Sequence, residues 1–156
     1  MRRFTASEQQ LKPDAVYNSK LISKFINCLM TKGKKSTSQK VFYDAMDIIS
    51  KKIKDTAPLE VFEAAVNNVK PVLEVRSRRV GGSSYQVPMQ VRSSRQQSLA
   101  IRWIIQAARA QKGKPMSQRL AAELIDAYNK HGGAMTTREN INKMAEANKA
   151  FAHFAW

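Results

Sequence analysis

Val72-Leu73-Glu74-Val75-Arg76-Ser77-Arg78-Arg79-Val80-Gly81-Gly82-Ser83-Ser84-Tyr85-Gln86-Val87-Pro88-Met89-Gln90-Val91 is the stretch that decides how this chain folds. Tyr85, Val87, Met89 and Val91 alternate strictly with Ser84, Gln86, Pro88 and Gln90. A second β-prone run, Val72 to Val80, precedes them, and Gly81-Gly82-Ser83 lies between the two. Such runs on both sides of a glycine pair predict a β-hairpin. Pro88 has no N–H to give to a ladder, so its strand has an edge position there. At about 3.4 Å per residue each strand spans roughly 25–30 Å. Two strands alone are marginally stable, so this ribbon is expected to be an arm that becomes rigid against a partner.

On either side of the ribbon the apolar period changes to that of a helix. Leu21, Ile22, Phe25, Ile26, Leu29 and Met30 share one face of a first helix beginning near Ser19, with Gly33 as its C-terminal cap. Ser36 or Thr37 can cap a second helix to about Lys54, whose stripe is Val41, Phe42, Ala45, Ile48 and Ile49. Pro58 suits the first turn of a third helix that points Phe62, Val66 and Val69 inward, and Pro71 stops it. Beyond the ribbon a fourth helix is predicted from Ser93 to Gln111 and a fifth from Ser117 to Lys130. Thr136 with Glu139 fits the capping box of a sixth. The expected fold is mainly α: one domain over residues 1–156, a six-helix bundle-like body with one protruding β-hairpin, the two-stranded ribbon 72–91, between helices three and four. Residues 1–18 read as a flexible, basic-tipped N-terminal arm.

Charge is the second strong signal. The 156 residues carry a formal net charge of +15. Between Val75 and Ala122 there is no aspartate or glutamate, while Arg76, Arg78, Arg79, Arg92, Arg95, Arg102, Arg109, Lys112, Lys114 and Arg119 all lie there. That stretch also holds Val80, Tyr85, Val87, Leu99, Trp103 and Ile104, so the charge is mounted on ordered structure. Unpaired like charges repel, and a polyanion offsets that cost. Phosphate fits best, because arginine meets it bidentately. Arg95, Arg102 and Arg109 are seven apart and fall on one helical stripe, opposite Ala100, Ile104 and Ala108. Ordinary solvated helix faces interleave acids with bases, and this one has none. In the ribbon, Arg76 and Arg78 share one face and Arg79 takes the other. Arg2, Arg3, Lys34 and Lys35 complete the candidate nucleic-acid-binding set.

Several function classes are excluded. Cys28 is a lone cysteine, read as a packed thiol, so neither a disulfide framework nor a structural zinc site is available. No apolar run is long enough to span a bilayer, and the N-terminus lacks the apolar core of a signal peptide. His131 and His153 are isolated, Asp44 and Asp47 sit at solvated positions, and no carboxylates cluster. We therefore expect no catalytic residue, no metal and no cofactor. Gly33-Lys34-Lys35-Ser36-Thr37 superficially resembles a phosphate loop, but Cys28 stands where the first glycine is required, and a helix precedes it. Phe151, Phe154 and Trp156 have the ring faces to stack on bases, although Phe151 reads first as core.

Arg76-Ser77-Arg78-Arg79-Val80-Gly81-Gly82-Ser83-Ser84-Tyr85-Gln86-Val87-Pro88 closely resembles the signature of the small ribosomal subunit protein seven family, in its bacterial and organellar form. Leu99-Ala100-Ile101-Arg102-Trp103, Gly33-Lys34-Lys35-Ser36 and Met144-Ala145-Glu146-Ala147-Asn148-Lys149-Ala150-Phe151-Ala152-His153 are similar to further blocks of that family, in the same order. The resemblance implies a non-catalytic constituent of the small ribosomal subunit. Such a protein binds the 3′ major domain of the ribosomal RNA and nucleates assembly of the subunit head. It implies a place at the subunit interface near exit-site tRNA and the mRNA path, with Arg78, Arg79, Gly81, Gly82 and Tyr85 of the ribbon toward the tRNA. Small-subunit proteins nine and eleven are the implied protein neighbours, in the cytoplasm or an organelle. No membrane and no homo-oligomer is expected. A rival reading is a DNA-binding architectural or helix-turn-helix protein, with Lys112-Gly113-Lys114-Pro115 as the turn. Its second helix carries Glu123 and Asp126 and is poor in basic residues, which suits recognition badly.

Overall fold

Ile22, Phe25, Ile26 and Leu29 follow one another at helical spacing and are all buried, so Lys20–Leu29 forms helix α1. The computed structural model describes residues 11–154. After α1 come α2 (Lys35–Lys52), α3 (Pro58–Val69), strands β1 (Leu73–Val80) and β2 (Ser83–Gln90), α4 (Ser93–Ala110), α5 (Met116–Tyr128), α6 (Gly133–Ala147) and a 3-10 helix over Lys149–Phe154. The fold is mainly helical, with one antiparallel hairpin between α3 and α4, as expected. Arg2, Arg3 and Trp156 lie outside the described residues.

Helix α5 is the hub. It packs on α2, α3, α4 and α6 through fully buried Leu120, Ala121, Leu124 and Ala127. Phe25, Phe42 and Phe62, one ring each from α1, α2 and α3, meet with centroids 5.3 to 5.6 Å apart. Tilted and edge-on pairs of this kind add about 0.5–1.5 kcal/mol each beyond their buried area.

Helix ends depart from expectation where the cap is not local. α1 ends at Leu29, before Gly33, and Lys34 N–H closes a tight turn on Thr31 C=O at 3.1 Å. Ser36 and Thr37 lie inside α2, which has Lys34 at its N-cap. α6 begins at Gly133, so Thr136 is already inside it and donates its hydroxyl to Gly132 C=O at 3.0 Å. The capping box is therefore absent. The acceptor comes from α5 instead: Glu123 Oε1 takes the Ala134 N–H at 2.8 Å.

Asp14 to Asn18, expected in a flexible arm, are folded on to the body. The buried Asp14 carboxylate accepts the N–H groups of Val16 and Tyr17 and the Tyr43 hydroxyl of α2, the last at 2.7 Å. Burial, with Asp14 beside it, pushes the Tyr43 phenol up to about 12. Cys28, read as a packed thiol, is exposed. Burial by its surroundings still pushes the thiol up, and Lys24 and Arg102 pull it back down.

Candidate nucleic-acid interface

Arg76 pairs with Val87, Arg78 with Tyr85, and Val80 with Ser83, so Gly81-Gly82 is a two-residue turn. Both glycines have positive φ, 58° and 89°, as the tight hairpin turn that matches strand twist requires. No atom beyond the adjoining residues lies within 4 Å of a Cβ placed at either, so the backbone angle and not crowding selects glycine there. Arg79, on the opposite face from Arg78, is exposed.

The ribbon does not wait for a partner to hold it. The 3-10 helix Lys149–Phe154 covers part of the face that carries Arg78 and Tyr85. The Tyr85 ring lies 5.2 Å from Phe151 and 5.1 Å from Phe154, and Arg78 Nη1 donates to Phe154 C=O. Phe151 and Phe154 therefore pack inside the chain and are half-buried. Replacing both by alanine should raise hydrogen exchange of the ribbon amides by roughly ten- to a hundredfold, since each ring contact is worth about 0.5–1.5 kcal/mol. Protection in α5 should stay unchanged. Equal exchange in the two proteins would show that the ribbon is rigid without this contact.

Helix α4 supplies the fixed part of the surface. Leu99, Ala100, Ile101, Trp103, Ile104, Ile105 and Ala108 are buried, so between Leu99 and Ala108 only Arg102 and Gln106 are exposed. The expected stripe of three arginines shares a side but not a role. Arg95 Nε lies 2.7 Å from Glu74 of β1. Arg109 Nη2 donates to Leu29 C=O at 3.0 Å and to Thr31 Oγ1 at 3.2 Å, which ties α4 to the turn after α1. The Arg102 guanidinium has no hydrogen bond or ion pair among the described residues, and neither have those of Arg79 and Arg92.

The remaining cations divide in the same way. Lys34, Lys35, Lys112 and Lys114 are exposed. Arg119, half-buried, donates to the carbonyls of Arg109 and Gln111 and so holds the α4–α5 turn. Arg138 of α6, which sequence reasoning passed over, likewise turns inward to Asn68 C=O. Arg76 lies 2.6 Å from Glu74. Glu74 was missed too, although it stands two residues before Arg76, on the same strand face.

Electrostatically the surface is only partly satisfied. Arg92 is the N-cap of α4 and Arg95 lies in its first turn, which carries no acid of its own. Glu74 of β1 pairs with Arg95 and leaves the Arg92 guanidinium without a partner among the described residues. Lys34 is likewise the N-cap of α2. Cations at the positive end of a helix dipole are unfavourable, and an anion relieves them. Among the described residues no three His, Cys, Asp or Glu side chains gather as metal ligands would, and no helix is long and apolar enough to cross a membrane.

Comparison with known proteins gives one consistent answer. The model of the family described as Ribosomal protein S7p/S5e matches residues 1–149. The chain is 60% identical to the small ribosomal subunit protein uS7 of Rhodopirellula baltica, over the full length of both. It is 56% identical to that of Nitratiruptor sp. and 55% to that of Thermotoga maritima, again end to end.

Proposed function

Since the chain belongs to the Ribosomal protein S7p/S5e family, a family of ribosomal structural proteins and not of enzymes, we propose that it binds the 3′ major domain of small-subunit ribosomal RNA and nucleates folding of the subunit head. The observation that carries this reading is the exposed arginine surface of α4 and the ribbon, whose acids are withdrawn into the body. Glu74 and Glu123 bound the acid-free stretch on either side, and both are buried. Crowded phosphates at an RNA junction resist compaction. Guanidinium groups fixed on a rigid helix lower that repulsion where RNA helices meet. Phosphate spacing and groove shape set recognition, because the deep major groove of A-form RNA is closed to side chains.

The same reading puts the Gly81-Gly82 tip toward exit-site tRNA and the mRNA path, with Arg79 beside it meeting ribosomal RNA phosphate as well, and small-subunit proteins nine and eleven alongside. A competition experiment tests the RNA part. Structured ribosomal RNA should displace a duplex DNA of equal length, and the protein should co-sediment with small subunits and be released at high salt. Duplex DNA binding as tightly as the ribosomal RNA would favour the architectural DNA-binding reading.

A further inference from the structure

Glu74 is an odd residue to find on an RNA-binding surface. It lies where the base of the ribbon meets the start of α4, in a concavity of about 420 Å³ walled also by Arg92. One carboxylate oxygen is 2.6 Å from Arg76 Nη2 and the other 2.7 Å from Arg95 Nε. The acid sits at the back, with its side chain 11% exposed, while the two arginine side chains in front are 43% and 47% exposed. An approaching phosphate therefore meets guanidinium and not carboxylate.

We infer that Glu74 is a positioning residue for RNA binding, whose single carboxylate holds Arg76 of the ribbon and Arg95 of α4 side by side so that one phosphate group can meet both. Arg95 spends its Nε on Glu74, which leaves both terminal nitrogens to fork on to a phosphate. Free arginine side chains lose rotamer freedom when they bind, and these two have lost much of it beforehand. A carboxylate is small, so two guanidinium groups on its two oxygens lie within reach of one phosphate. The arrangement also fixes the ribbon against α4, so the two basic elements present one surface. The inference rests on the proposed phosphate contact.

The sign of one substitution decides the matter. Removing an acid from an RNA-binding surface ordinarily tightens binding, because a repulsion is gone. Glu74→Gln, nearly isosteric, should instead weaken binding to small-subunit ribosomal RNA transcribed in vitro, roughly three- to tenfold, the cost of ordering one or two long side chains. The slope of log affinity against log salt should stay the same, since both arginines still reach phosphate. Arg95→Gln, measured beside it, should weaken binding and flatten the slope. Glu74→Gln added to Arg95→Gln should then have less than half its effect, on a logarithmic scale, in the wild-type background. Equal or tighter binding by Glu74→Gln, with Arg95→Gln weaker, overturns the inference and leaves the phosphate reading standing. If Arg95→Gln changes neither affinity nor slope, the phosphate contact fails and the inference falls with it. Thermal melting of both variants separates loss of fold from loss of affinity, and Glu74→Asp, too short to span both arginines, should fall on the weak side as well.

Discussion

Gly132→Ala should destabilise the protein by about 3 kcal/mol, or roughly 6–12 °C in melting temperature. Gly132 has φ 94° and ψ 174°, a region open in practice only to glycine. A Cβ there would also meet Glu123 Oε1 and Asp126 Cβ, each at 3.0 Å. The oxygen it strikes is the one that caps α6 through Ala134 N–H, while Glu123 Oε2 accepts from Gln111 Nε2 at 3.2 Å. One methyl group thus strains the backbone and displaces the link among α4, α5 and α6. Glu123→Ala should cost about 1–3 kcal/mol, because a buried N–H loses its acceptor. Glu123→Gln should be milder, since the amide oxygen still accepts.

The pH dependence of Glu123 has a definite sign. Burial pushes its carboxyl up from 4.5, against the pull of the Ala134 and Gln111 hydrogen bonds. The folded state therefore holds the proton more tightly than the unfolded one. That contribution to stability is complete below 4.5 and is lost as pH rises through the folded value. Denaturant melts across that window should show a falling limb in the wild type that Glu123→Gln lacks. A Gly132→Ala protein within about 0.5 kcal/mol of wild type would mean that α6 is not capped in this way.

What could be read from the sequence follows from how far each determinant reaches along the chain. Alternation at Tyr85, Val87 and Met89 and the glycine pair between the strands are local, and the ribbon came out as expected. Pro58 and Pro71 bracket α3 for equally local reasons. The start of α6 was misread because Thr136 and Glu139 satisfy a local pattern, whereas the acceptor used comes from the preceding helix. The same holds for the arginine stripe. A spacing of seven puts Arg95, Arg102 and Arg109 on one side of α4, and it cannot tell that Glu74 and Leu29 claim the outer two. The packing of Tyr85 against Phe151 and Phe154 joins residues far apart in sequence, so the ribbon was read as an unsupported arm.

The largest functional effect should come from the arginines that fold stability does not use. The side chains of Arg79, Arg92 and Arg102 are exposed and make no hydrogen bond or ion pair among the described residues, so changing all three to glutamine should leave the melting temperature within about 2 °C. Each phosphate contact contributes a slope of about −0.7 to −0.9 in log affinity against log salt, so at 0.1 M salt each one lost costs roughly sixfold. Three together should weaken binding of ribosomal RNA by roughly 200-fold at 0.1 M and flatten the slope by about 2 to 3. The gap to wild type should narrow toward 1 M salt, where counterion release contributes little. Arg109→Gln is the contrast within the same helix. Its Nη2 is held by Leu29 C=O and Thr31 Oγ1 in the turn after α1, so its loss should lower stability by about 1–3 kcal/mol and move the slope less than Arg102→Gln does. If the triple variant keeps the wild-type slope, these arginines do not meet phosphate. If Arg109→Gln flattens the slope as much as Arg102→Gln does, the division between arginines that hold the fold and arginines that hold RNA is wrong.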